Sequence, residues 1–134
     1  MSTTIVMHRT DNSGIASSRV ILRSDQDWKT LPSSPDVSYT QVCDEPACLK
    51  HGTVHVIEWG ETPSHTAFEW SRDKECLVEV MKYPGSHDER DRKWFVTGFI
   101  LDDYVRLGPE RISAFMAHYN SAASLVAELN GEVA

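Results

Sequence analysis

A chain of 134 residues with 20 acidic and 13 basic side chains, net charge −7, fits a single hydrophobic core, which typically serves ~100–150 residues. The charge opposes binding to nucleic-acid backbones, where Lys and Arg must displace counterions, and no basic run offsets it. At 40% hydrophobic content the composition is far from disorder, and no apolar stretch approaches the ~20 residues that cross a bilayer. One domain over residues 1–134 is expected. Residues 1–9 lack the basic region and apolar core of a signal peptide, so the expected location is cytoplasmic. Three cysteines are an odd number for a disulfide framework in a reducing compartment and point to thiol or metal roles.

In chain order, Ile5-Val6-Met7 is a short apolar run that falls into Thr10-Asp11-Asn12-Ser13-Gly14, and residues 1–18 read as a flexible N-terminal segment ending in turn composition. Arg19 to Arg23 is a β-branched run of strand length. Ser24 to Asp36, with Pro32 and Pro35, reads as a loop from which Trp28 folds back onto the core. Residues 38–42 are a short strand leading into Cys43. Thr53 to Trp59 alternates as a strand, Gly60 to Ser64 turns the chain, and Thr66 to Trp70 is its expected hairpin partner.

Cys76 to Tyr83 and Trp94 to Leu101 predict two further strands, the second nearly continuous in apolar residues, as a centrally covered strand is. Between them, residues 86–93 are almost wholly charged and form a solvated loop tip. Tyr104 to Leu107 is read as an added edge. Gly108 and Pro109 start a helix over 108–131, since Pro suits the first helical position. Ile112, Phe115, Met116, Tyr119, Ala123, Val126 and Leu129 recur at helical spacing, and Gly131 is a suitable stop. The whole predicts an α+β fold: a small antiparallel sheet packed against one long C-terminal helix, with a Cys/His-rich turn.

That turn carries the chemistry. Cys43, Cys48 and His51 place three donors within nine residues, Pro46 stiffens the chain between them, and Gly52 releases it. Zinc takes four tetrahedral ligands from thiolate and imidazole, and cysteines on one tight turn supply the first of them. The expected set is Cys43, Cys48, His51 and His65, with His55 the alternative fourth ligand and Cys76 an outside candidate. Asp44, Glu45 and Glu58 are the acids nearby that a catalytic site would use. The His-x-Glu with Pro-Cys-x-x-Cys and His-Glu-x-x-His signatures are absent, so a closed structural zinc site is favoured over an open catalytic one.

Elsewhere, His87 with Asp88, Glu89 and Asp91 reads as a solvated hairpin tip, His118 as a helix flank, and Asp102-Asp103 as turn chemistry. The order Cys43, Pro46, Cys48, His51, His65, then two strands, then Gly108-Pro109-Glu110-Arg111 leading into Ala114, Ala117, Ala122, Ala123 and Ala127 resembles a family of small actinobacterial and actinophage domains of unknown function. The resemblance covers roughly residues 40–131. It implies a zinc-pinned small domain from a phage or an actinobacterium, and it carries no known activity to transfer. Three functions are consistent with these readings: a zinc-stabilised module that binds a protein partner, a small metal-dependent hydrolase, and a metal-free phage-encoded inhibitor of a host protein.

Overall fold

The computed structural model describes residues 3–58, 63–72, 76–100 and 108–131. It is an α+β fold of two antiparallel sheets and one helix. The first sheet comprises β1 (Thr3–Asp11), β2 (Gly14–Leu22), β3 (Val37–Val42) and β4 (Val54–Ile57), in the order β2-β1-β3-β4. The second comprises β5 (His65–Arg72), β6 (Cys76–Lys82) and β7 (Phe95–Ile100), in sequence order, and α1 (Pro109–Leu129) packs against β6 and β7. No helix among the described residues is long and apolar enough to cross a membrane.

Residues 3–22, read from the sequence as a loose segment and a short strand, are paired along their length. They form a nine-pair hairpin running from Thr3↔Leu22 to Asp11↔Gly14. Its turn is closed by the Asp11 carboxylate, which accepts a 2.7 Å hydrogen bond from the Ser13 N–H, a local use of Asp that competes with continued strand. Gly14 leaves that turn at φ +122°. Ile5 faces inward and is 1% exposed, which anchors the hairpin to β3 through the register Val6↔Thr40.

Along β3 the residues alternate, with Val37, Tyr39 and Gln41 turned in and Ser38 and Thr40 less buried, as strand geometry requires. The first core gathers Ile5, Leu22, Val37, Tyr39 and Ile57. No α-helix among the described residues packs over it. A single 3₁₀ stretch, Asp25–Thr30, lays Trp28 edge-on against Tyr39 with ring centres 5.6 Å apart, so Trp28 does fold back as expected.

The pairing of the middle strands departs from the sequence expectation. β4 pairs with β3 through Gln41↔His55 and Val42↔Val54, and β5 pairs with β6 instead of with β4. The short Cys43–Thr53 connection makes β3 and β4 the local hairpin, leaving β5 free to open a second sheet. The expected turn at 60–62 and Trp59, the Asp102-Asp103 pair and the edge at 104–107 lie outside the described residues.

The second core is built from Val78, Val80, Trp94 and Ala122. Val78 and Val80 are fully buried on the central strand β6. Phe115, Leu125, Val126 and Leu129 complete the covering face of α1. Gly98 lets the helix approach closely, since a β-carbon there would sit 2.8 Å from Cδ2 of Tyr119. At the helix end Asn130 accepts from the Trp94 N–H at 3.1 Å and donates back to the Trp94 carbonyl at 2.9 Å. Gly131 follows at φ +70°, the left-handed stop that Gly allows.

Candidate metal centre

The connection from β3 to β4 folds as a closed loop. The Cys43 N–H donates to the Thr53 carbonyl at 2.8 Å, and the Gly52 N–H returns to the Cys43 carbonyl at 2.9 Å. Within it, the Cys48 N–H bonds the Glu45 carbonyl, and the His51 N–H bonds the Cys48 carbonyl. Gly52, at φ +84°, takes the left-handed conformation that other residues avoid. The loop therefore reverses sharply and presents both sulfurs to one side.

Each sulfur also accepts a backbone N–H from two residues on: Lys50 to Cys48 Sγ at 3.4 Å, and Glu45 to Cys43 Sγ. Such donors favour a charged sulfur over a neutral one.

Cys43, Cys48, His55 and His65 each bring one donor atom to a group in which all four atoms lie within 4.8 Å of one another. Cys43 Sγ and His65 Nδ1 are 3.5 Å apart. The rings of His55 and His65 meet edge to face with centres 5.5 Å apart. Cys43, Cys48 and His65 are buried, at 1%, 5% and 6% exposure. Nε2 of His55 is buried without a hydrogen-bond partner, an unusual state for an imidazole nitrogen that leaves its lone pair available to a cation. The group can bind a metal ion.

Of the expected donors, the structure brings together Cys43, Cys48 and His65, and it replaces His51 with His55. His51 is exposed on the outside of the loop, with Nδ1 3.1 Å from the Glu45 carbonyl oxygen. The reason is strand periodicity. His55 is the cross-strand partner of Gln41 and shares the inward face with Ile57, two residues on; Cys43 continues that face two residues beyond Gln41. His51 follows Cys48 too closely, in a loop that has already turned its side chain outward. The alternation His55–Ile57 was the available signal. Cys76 stands outside the group as a fully buried free thiol at the start of β6.

Burial sets the protonation of the group. It pushes the Cys43 thiol up to about 11, against the Glu45 N–H, with Cys48 and Asp44 adding to the rise. Burial likewise lowers His55, with help from Lys50, and lowers His65, with help from Lys82 and His55. At neutral pH the two imidazoles are thus neutral donors, and Cys43 surrenders its proton when a cation takes the site.

The loop is also tied to the second sheet. The Leu49 N–H donates to the Thr66 carbonyl at 2.8 Å, Lys82 pairs with Glu45 at 2.8 Å, and Ala47 packs on the second core. Burial works against the charged Glu45 carboxyl, but the Lys82 ammonium overcomes it and holds the carboxyl below its ordinary value. Glu45 is therefore engaged in holding the loop.

His118 and His8 have other tasks. His118 stacks on Trp70 at 4.3 Å, nearly parallel, and bonds the Ala114 carbonyl. His8 lies between Ser17 and Thr40 at 2.8 and 3.0 Å. The acidic tip after β6 is structured by Asp88, which caps the 3₁₀ turn Glu89–Arg92 through the Arg90 N–H. Comparison with protein-family models, with curated proteins and with solved structures finds no match.

Proposed function

We propose that Cys43, Cys48, His55 and His65 hold one structural zinc ion, and that the protein is a zinc-stabilised module that binds another protein. The carrying observation is the group of four donors within 4.8 Å, taken with the orphaned Nε2 of His55. Two thiols and two imidazoles are the donor set that zinc prefers. Zinc–ligand bonds of ~2.0–2.3 Å place a sulfur and a nitrogen roughly 3.5 Å apart in a tetrahedron, the separation found between Cys43 and His65.

Four protein donors complete the tetrahedron and leave no position for an activated water, which favours a structural role over hydrolysis. The ion would join the two sheets. Cys43 follows β3 and His55 lies in β4, Cys48 is in the loop between them, and His65 opens β5. The partner-binding half of the proposal draws on the outer face of the first sheet, where Ile21, Val42, Val54 and Val56 are all more than half exposed.

Elemental analysis of the purified chain tests the zinc reading. One zinc per chain is expected, retained by His51→Ala and lost by His55→Ala. A chain that binds no zinc at micromolar concentration, or a His55→Ala variant that keeps it, sinks the reading. For the partner, a protein captured from the native host by the wild-type chain should be lost with Val54→Lys and Val56→Lys together.

A further inference from the structure

Next to the metal group, with His65 as a shared wall, lies a cleft of about 430 Å³. Sites for small molecules typically span roughly 300–1,000 Å³. The cleft carries charges of both signs: Arg23 and Lys82 on the one hand, Asp44 and Glu45 on the other. Lys82 and Glu45 satisfy each other. Arg23 is exposed, and its guanidinium forms no ion pair with a described residue. Asp44 has only a long 3.4 Å hydrogen bond from the Thr3 hydroxyl. One cation and one carboxylate are thus left for something else, and a ligand bearing both charges would satisfy both.

The second observation is Gln41. It lines the cleft from the inward face of β3 and is only 8% exposed, and its carboxamide is not among the sealed, unsatisfied polar atoms, so its polar end is open to the cleft. An amide at a cleft wall can exchange its water for the polar groups of a ligand. Trp28 adds an aromatic surface to the same cleft.

We propose that this cleft binds a small zwitterion of amino-acid to dipeptide size, with its carboxylate on Arg23 and its ammonium group toward Asp44. Gln41 takes hydrogen bonds from the middle of the ligand, and Trp28 packs against its apolar part. The planar fork of Arg23 suits a carboxylate, which it can hold through two parallel N–H bonds. The zinc reading is not required, because none of these four residues is a metal donor.

The test is an NMR titration of the full chain, as purified, with the dipeptide glycylleucine. N-acetylglycylleucine and glycylleucinamide, each lacking one charge, serve as controls. Glycylleucine should saturate shifts at residues 23, 28, 41 and 44, with each control weaker by about tenfold or more. Arg23→Gln should lose the binding at unchanged melting temperature. Gln41→Leu should lose it without lowering the melting temperature. Absent shifts, a control that binds equally well, or binding that survives both substitutions overturns the proposal. A Gln41→Leu chain that melts lower overturns it too, since the amide would then serve the fold.

Discussion

The two sheets of this protein solve the same problem with different means. The second sheet buries its inner face under a 21-residue helix, and its core of Val78, Val80, Trp94 and Ala122 is closed on both sides. The first sheet has more strands but only a loop with one 3₁₀ stretch across Ile5, Tyr39 and Ile57. Its outer face leaves Val42, Val54 and Val56 more than half exposed. A sheet without a helical cover forgoes the burial that stabilises a small domain, and the metal group lies where the weaker half meets the stronger. On the zinc reading proposed above there is a division of labour, in which α1 stabilises the second half from within and the bound ion would cross-link the first.

The largest expected effect breaks that cross-link. Removing zinc with a chelator, or substituting Cys43→Ser, should lower stability by about 4 kcal/mol, equivalent to free zinc at some thousand-fold above its Kd, or roughly 15 °C in melting temperature. Amide hydrogen exchange should rise first in β1–β4 and last in β6, β7 and α1. Uniform exchange across both sheets would abolish the distinction. Next in size, Ile5→Ala should cost about 3 kcal/mol by emptying a fully buried site. The loss should be accompanied by weaker zinc retention, measured by competition with a chromophoric chelator; Val80→Ala, in the other core, should leave zinc retention unchanged.

Gly98→Ala probes the stronger half. The added methyl group meets the ring of Tyr119, and shifting the helix to accommodate it should cost about 1–3 kcal/mol, readable by chemical denaturation, with zinc content intact. The smallest effect concerns charge. Glu79 faces Glu69 directly across β5 and β6; burial, with Glu69 adding to it, raises its carboxyl above the ordinary 4.5. A raised carboxyl penalises the fold while ionised, so the penalty is present at neutral pH and fades as pH falls through the folded value toward 4.5. Glu79→Gln should therefore stabilise by a few tenths of a kcal/mol at neutral pH, with the gain vanishing in acid. A gain that persists at low pH would assign the effect to something other than charge.

Much of this architecture is readable from residue order. The helix is announced by Pro109 and by apolar residues at helical spacing, and it ends at Leu129, just before Gly131. The strands at 76–82 and 95–100 follow from apolar runs around a charged tip. Cys43, Cys48 and His65 were legible as donors because thiols and imidazoles are few and concentrated. The N-terminal hairpin was harder, because the mostly exposed strand Gly14–Leu22 carries Ala16, Ser17 and Ser18 in place of a β-branched run, and only its turn chemistry is distinctive.

By itself, then, the order of residues determined the local elements and the kinds of donor atom, because periodicity, turn chemistry and ligand type are properties of neighbours in the chain. Which strands pair, that there are two sheets instead of one, and that His55 rather than His51 faces the thiols were decided only in three dimensions. Those outcomes depend on which face of β4 is buried and on where the chain places β5, and both are set by packing between segments distant in sequence.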